Sequence, residues 1–432
     1  MSKPIKSPSS VIHIFNSRIS SVSLTKNISW SLLGNIIYAL CQFSLLIVIA
    51  RLGTPKSVGQ FTLGLSLTAP LYMFTRLQLR TVIAMDSQSQ YSFSDYLHLR
   101  FFMACIAFLF TICIICIVGY ETETTKVIIA VSIYRAIETL GECYYGALQK
   151  IERMDYISIS VILKGIFSIS SLAATFYFTQ SLFYAILSMS LSSLILLYIY
   201  DLNCFLRVKL SSSDTFFFNT CQISNILHIA RSTFPLGLAS LLGSLYANIP
   251  RYFLERYFSE KELGIFASIA YIMVSGTIFI RSLCQSFSYR ISNSYASNDK
   301  HRIKLILTRL LLFASILGAS ITLISWLAGE HILFFLYGTE YAAYFDILAG
   351  MMFVAGFVFV ADIMLYFIIA SHQYRSWTLI LLFANITSTI AAYLAVPTLQ
   401  LWGATISQGV GTITLCIGGF LLVVKSLRQM SR

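Results

Sequence analysis

The chain has 432 residues and a mass of 48.5 kDa; 57% of its residues are hydrophobic and 11% are charged. A soluble domain carries about 25% charged residues, so these few polar groups could not cover a water-facing surface of this size. A cytosolic enzyme, a disordered chain and a secreted disulfide scaffold are excluded, which leaves an integral membrane protein. Its formal net charge of +12 then reflects basic loops at a membrane surface and not a nucleic-acid partner.

The first 26 residues are basic and lack an apolar core, so 1–26 reads as a cytoplasmic tail and not as a cleaved signal. Uncharged stretches then mark the spans, because a charge in the middle of a bilayer is costly. They run over 27–50, 57–75, 101–120, 165–200, 232–250, 263–280, 310–329, 347–361 and 376–424. One crossing takes about 20 residues, so 165–200 and 376–424 hold two each, with Gln180 and Pro397 as the natural breaks. A further span, 127–148, contains Arg135, Glu138 and Glu142, and the run from 347 continues past Asp362 to about 370. The expectation is an all-α integral membrane protein with about twelve transmembrane helices. Residues 27–200 and 229–425 form two six-helix bundles, and 426–432 is a short cytoplasmic tail. The connection 201–228, with Ser211 to Ser213 and Phe216 to Phe218, reads as a linker plus an interfacial helix.

Cysteine and histidine point to no cofactor or metal. Cys113 and Cys116 form a C-x-x-C inside an apolar run with no second pair and no nearby histidine. The chain contains no P-loop, no G-x-S-x-G and no H-E-x-x-H.

Basic residues set the orientation. Six of the 30 fall on the odd-numbered turns (Arg51, Lys56, Lys126, Arg251, Arg256 and Lys261), and Arg135 lies in the membrane. The remaining 23 fall on the even-numbered turns and the termini, which places both termini in the cytoplasm.

The two halves repeat. At an offset of 205 residues, Arg51 falls on Arg256, Lys56 on Lys261, Gly59 on Gly264, Phe61 on Phe266 and Arg76 on Arg281; Ser87 and Ser89 fall on Ser292 and Ser294. A second register, 224, places Glu138 on Asp362 and Gln149 on Gln373. Chance alignment of apolar helices matches leucine with leucine, and seldom three basic positions. With six helices per half, both halves share one topology, so a pseudo-twofold axis along the membrane normal relates them across a central cavity.

Several segments resemble those of bacterial polysaccharide flippases. They are Ala50-Arg51-Leu52-Gly53 with Gly59-Gln60-Phe61, Leu79 to Ala84, Tyr145-Gly146-Ala147-Leu148-Gln149, Leu263 to Ala267 with Ala270-Tyr271, and Tyr337-Gly338 with Tyr341. Across about residues 25–425 the chain resembles the O-antigen and capsule translocases of the multidrug/oligosaccharidyl-lipid/polysaccharide exporter superfamily. The resemblance implies a MATE-like pair of bundles in the bacterial cytoplasmic (inner) membrane and a cationic lumen. It implies a polyprenyl-diphosphate oligosaccharide as cargo, a proton or sodium as coupling ion, and polymerase and chain-length proteins of the same pathway as partners. Twelve helices, where lipid II flippases have fourteen, argue against a peptidoglycan precursor.

Moving such a cargo requires fixed cations, a wet cavity and a gate through which the lipid tail stays in the bilayer. Arg76 and Arg281 are the leading pair for the diphosphate, because the pseudo-twofold sets them on opposite walls. Each lies some 17 residues past its repeat glycine, about 26 Å along a helix and so near the cytoplasmic end. The plainer alternative is that both snorkel to headgroups. Arg135, Glu138 and Glu142 share one helical face. Arg135 pairs with Glu138, and Glu142 lacks a local partner, so Glu142, Glu138 and Asp362 are the candidates for ion coupling, with Arg135 a third diphosphate ligand. Arg51, Arg251 and Arg256 are outer-side contacts for the diphosphate, or else partners of Glu255, Glu260 and Glu262. Pro70 and Pro235 are candidate kinks, and Tyr38, Gln42, Tyr246 and Asn248 line the cavity or bridge helices. A drug/cation antiporter of the same superfamily is the second reading, and a membrane polymerase or ligase, which needs a longer outer loop than any here, is the third.

Reporter fusions at residues 205 and 295 and at the C-terminus are expected to report the cytoplasm, and fusions at 123 and 258 the outside. An outside signal at 205 overturns the division into two six-helix halves.

Overall fold

The computed structural model describes residues 24–86, 90–211, 222–297, 299–371 and 373–429. The basic tail before residue 24, Ser87 and Ser89 of the repeat, and Phe216 to Phe218 of the expected interfacial helix lie outside the described residues.

All regular structure among the described residues is helical. The first half contains α1 (Leu24–Leu52), α2 (Pro55–Thr75), the short α3 (Leu79–Met85), α4 (Phe93–Val118), α5 (Thr122–Lys150), α6 (Met154–Thr179) and α7 (Leu182–Leu196). A π-helical turn, Leu197–Asp201, carries α7 into α8 (Leu202–Ser211). The second half contains α9 (Ile223–Tyr257), α10 (Glu260–Ala296), α11 (Lys300–Tyr337), the single turn α12 (Thr339–Ala342), α13 (Phe345–Ala370) and α14 (Tyr374–Gln429).

Among the described residues, nine helices are long and apolar enough to cross a bilayer. One of them, α14, holds two crossings, because Gln400 (φ 51°, ψ −120°) breaks it into 374–399 and 401–429. The more polar passes of α2 with α3 and of α5 complete the expected twelve. The turn in α14 falls at Gln400 and not at Pro397. Proline removes one backbone bond and bends a helix, but reversing the chain here takes a residue in the left-handed region. The two arms then pair closely, with Ser388 Oγ 3.0 Å from Ser407 Oγ and Thr387 Oγ1 3.0 Å from Thr414 Oγ1. Gln180 (φ 52°) ends α6 at the expected break.

Local sequence explains the other helix ends. Thr54 caps α2 by accepting from the Ser57 N–H, and Pro55 stands at its first turn, where no donor is missed. Ser92 and Asp95 form a reciprocal capping box on α4, which ends at Gly119 with φ 74°.

Within the first half α1 packs on α6, α2 on α5, and α6 on α7; within the second, α11 packs on α13, α10 on α13, and α13 on α14. The halves meet through α2, which packs on both α9 and α10. At the first turns of α2 and α10 they touch symmetrically. A Cβ on Gly59 would lie 1.7 Å from the Glu260 carbonyl oxygen, and one on Gly264 would lie 2.0 Å from that of Pro55. Pro55 and Glu260 are themselves separated by the repeat offset of 205. Each half therefore presents the same glycine to the same carbonyl of the other, as in a twofold dimer, and the pseudo-twofold axis passes between them.

Polar contacts close this Gly59 end. Arg51 donates through Nε to the Leu336 carbonyl (3.1 Å) and through Nη2 to the carbonyls of Phe334 (2.9 Å) and Phe335, at the end of α11. Lys56 lies 3.8 Å from Glu260 and 3.1 Å from Glu121, and Thr124 joins Gln60 to Glu260. At the opposite end the start of α9 leans on the first half. Asp95 accepts from the Gln222 N–H (2.8 Å) and the Asn225 amide (3.1 Å), and Tyr91 Oη lies 2.6 Å from His228 Nδ1. Farther along, Tyr246 Oη lies 2.7 Å from Thr412 Oγ1, which ties α9 to α14.

Gly264→Leu is expected to pry the Gly59 end apart at a cost of about 1–3 kcal/mol. Thermal unfolding of the purified protein should fall, and a cysteine placed at residue 260 should label faster with a membrane-impermeant maleimide. Unchanged melting and labelling would mean that this contact does not hold the halves together.

Candidate functional site

The second pass is interrupted inside the bundle. After α2 ends at Thr75, Arg76 remains helical, but Leu77 (φ 49°) and Gln78 (φ 53°) are left-handed before α3 resumes at Leu79. Two consecutive non-glycine residues in this region cost roughly 1–3 kcal/mol each, so their surroundings must hold them there. Leu77 and Leu79 are fully buried, Arg100 Nη1 donates to the Arg76 carbonyl (2.8 Å), and Gln78 Nε2 donates to Ser240 Oγ on α9 (2.9 Å). Arg80 anchors α3 to α5 through the Gln149 side chain (3.2 Å). Gly146 lets the Arg80 backbone come close, since a Cβ there would sit 3.1 Å from its carbonyl oxygen.

The break aims Arg76 at α5. Its Nη2 lies 3.3 Å from Glu138 Oε2 and its Nη1 3.0 Å from Glu142 Oε1. Arg135 Nη1 shares Glu138 Oε2 at 2.7 Å, Tyr38 Oη donates to Glu138 Oε1 at 3.0 Å, and Arg100 Nη2 lies 3.7 Å from Glu142. Three guanidiniums thus face two carboxylates, and the cluster keeps one net positive charge. Arg76, Arg135, Glu138 and Glu142 are half-buried. Among the described residues, Arg76 Nε and Arg135 Nε have no hydrogen-bond partner.

The second half holds a simpler version. Arg281 grips Asp362 with two bonds, Nε to Oδ2 at 3.0 Å and Nη2 to Oδ1 at 3.1 Å. The Asp362 side chain is 8% exposed and that of Arg281 55%, so the arginine reaches out of a neutral pair. The two repeat registers, 205 for the arginines and 224 for the acids, meet in these contacts: Arg76 with Glu138, and Arg281 with Asp362.

The expected pairing of Arg135 with Glu138 is present. Other expectations change. Arg76 and Arg281 are not bare cations, and Glu142 has partners on two other elements, because spacing reveals only neighbours on the same helix. Among the described residues, none of Arg51, Arg251 and Arg256 forms an ion pair with Glu255, Glu260 or Glu262. Arg51 finds the carbonyl end of α11, where the helix dipole favours a cation. Arg251 donates to Asn248 (2.7 Å), and Arg256 is exposed. Glu260 and Glu262 stay in the first turn of α10, where that helix's own dipole favours acids. Tyr246 bridges α9 and α14.

Two groups escaped the reading by charge. Arg100 counted as a loop residue, yet it lies inside α4 and is 1% exposed. Lys164 also counted as a loop residue, yet it is buried in α6, 2.7 Å from both Asp201 Oδ2 and Tyr145 Oη, and Ser160 donates to the same Asp201. The π-helical turn Leu197–Asp201 delivers that aspartate. The four-residue spacing of Ser160 and Lys164, which places both on one helical face, was the available signal.

An apolar pocket of about 440 Å³ lies between α1 and α10, lined by Leu32, Ile36, Leu40 and Phe43 on one side and Phe279 and Leu283 on the other.

The fold is thus two six-helix bundles about a pseudo-twofold, with arginines held inside. The fold matches an inward-facing MATE multidrug-resistance transporter of the MOP superfamily with a TM-score of 0.67 at 14% identity, over 98% of this chain and 99% of that one. A MOP transporter from Pyrococcus furiosus, described by a binding pocket of reverse polarity, matches with a TM-score of 0.65 at 14% identity, over 94% and 96% of the two chains. The chain belongs to the polysaccharide biosynthesis protein family, which matches residues 24–289. It is 31% identical over 405 residues to the capsular polysaccharide biosynthesis protein CapF of Staphylococcus aureus, covering 90% of this chain and 98% of CapF.

The exposure of the two arginine sites separates them energetically. Glu138→Ala strands Arg135, leaves Arg76 with Glu142 alone, and is expected to cost up to about 3–5 kcal/mol. Asp362→Ala leaves Arg281, whose side chain is 55% exposed, less confined than Arg135, and should cost less. Thermal unfolding of both variants in one detergent checks the order, and equal losses would contradict it.

Proposed function

We propose that the chain is a flippase that moves a polyprenyl-diphosphate-linked oligosaccharide, an O-antigen or capsule repeat unit, across the bacterial cytoplasmic membrane. It takes the unit from the inner to the outer leaflet by alternating access, with both chain termini in the cytoplasm and the Gly59 end outside. The observation that carries this reading is the cluster of half-buried Arg76 and Arg135 with fully buried Arg100, which keeps one uncompensated positive charge. A diphosphate cannot enter hydrocarbon without fixed cations, and the guanidinium fork matches phosphate oxygens in two places at once. Arg76 and Arg135 meet the diphosphate first, through guanidiniums that are partly exposed, with Arg281 on the facing wall. The apolar pocket between α1 and α10 suits the polyprenyl tail, which never has to leave the lipid.

Exchange drives the cycle. A phosphate that takes Arg76 and Arg135 leaves Glu138 with Tyr38 and Glu142 with Arg100, and the less compensated acids then accept a proton or sodium; Asp362 plays the same part in the other half. When the Gly59 end opens, Arg51 leaves the carbonyls of α11 and, with Arg251 and Arg256, meets the diphosphate on its way out. The repeat unit then passes to polymerase and chain-length proteins. Each of the three membrane acids is engaged by arginine, which supports an anionic cargo over the drug or cation of an antiporter.

Deletion is expected to trap lipid-linked repeat units on the inner leaflet and remove surface polysaccharide. Complementation with Arg76→Ala or Arg135→Ala should fail at normal protein levels, and Arg76→Lys should restore only part, because an ammonium keeps the charge without the fork. Normal surface glycan from both alanine variants overturns the assignment.

A further inference from the structure

The arginine of the second pass and its repeat mate sit on differently shaped helices. Arg281 lies inside α10, which runs unbroken from Glu260 to Ala296. Arg76 lies at a break, with Leu77 and Gln78 both left-handed. The exposures differ in step: the Arg76 side chain is 16% exposed and spans two carboxylates, whereas that of Arg281 is 55% exposed and holds one. One repeat unit therefore displays two conformations of the same element in a single molecule.

We propose that the break at Leu77–Gln78 is a switch that positions Arg76, and that a lipid diphosphate closes it into a continuous helix. This rests on the flippase reading. In the broken form Arg76 is withdrawn between Glu138 and Glu142, Arg100 holds its carbonyl, and Phe74 and Gln78 dock on α9 at Gly237 and Ser240. A Cβ at Gly237 would sit 2.7 Å from the Phe74 carbonyl oxygen, so α9 fits this form closely. Rewinding returns Leu77 and Gln78 to the right-handed region and hands the Arg76 carbonyl from the Leu79 N–H (3.0 Å) and Arg100 to the helical N–H four residues on. It also detaches α2 from α9 and leaves Arg76 as Arg281 is, gripping one acid and reaching outward. That exposed arginine is the one a diphosphate can use. The same rewinding breaks a contact between the halves, so cargo binding and helix movement become one event. Gln78 is a positioning residue, acting through Arg76.

Gln78 is exposed, which permits a clean comparison of Gln78→Gly with Gln78→Ala. Both lose the Ser240 bond. Glycine alone is free of the left-handed penalty, and it is the poorer helix former, so it moves the balance toward the broken form by roughly 30-fold relative to alanine. Apparent affinity falls with the fraction of competent protein. With full-length protein in detergent and farnesyl diphosphate as the probe, Gln78→Gly should bind at least several-fold more weakly than Gln78→Ala. Without the probe it should melt higher, and in cells it should export less polysaccharide. Equal affinity and export for the two variants, or a lower melting point for glycine, overturns the switch; if Arg76→Ala is inactive at the same time, the flippase reading stands without it. Normal export by both Arg76→Ala and Arg135→Ala removes that reading and the switch together.

Discussion

A guanidinium in hydrocarbon must be matched, and the interior of this protein is arranged around that requirement. Arg76 sits between two glutamates of α5, Arg135 shares one of them, and Arg100 supports both the second glutamate and the Arg76 backbone. Meeting these demands interrupts the second pass and fixes where α3 lies on α5. It also leaves one positive charge and, among the described residues, the buried Nε donors of all three arginines unanswered; the transport reading depends on that charge.

Symmetry supplies the second organising element. The contact of Gly59 with Glu260 and of Gly264 with Pro55 permits a backbone approach that no side chain would allow, and it does so once in each direction. Around that point the halves diverge. Arg51 caps α11 and Lys56 pairs with Glu121 and Glu260, whereas among the described residues their mates Arg256 and Lys261 form no ion pair.

The packing between helices is that of a membrane protein. Large apolar side chains face outward, with Phe178 at 82% exposure and Ile117 and Phe335 each at 78%. Small and polar residues hold the interior: Ser132 against Tyr72, Ser388 against Ser407, and Gly318 against Gly356. Lipid is as apolar as leucine, so helices gain little by hiding leucine from it and associate through close approach and hydrogen bonds instead.

Composition and the spacing of charges determine much of this protein. The twelve spans, the Gln180 break, the repeat and the pairing of Arg135 with Glu138 all follow from local cost: a charge in hydrocarbon, a turn between helices, a neighbour three residues away. The membrane residence of Arg135, Glu138, Glu142 and Asp362 is legible in the same way. Partnership across helices is not. Whether Glu142 stands alone or pairs with Arg76 and Arg100 depends on how α2, α4 and α5 are set against one another, and apolar faces suitable for lipid do not encode that angle. The break at Leu77–Gln78 lies further still beyond local reading, since neither residue favours a left-handed backbone. Neighbours on other helices, buried Arg100 on a carbonyl and half-buried Ser240 on an amide, hold it there. Short-range physics writes the elements into the sequence. Long-range packing decides which charges meet, because that energy exists only once separate helices share one interior.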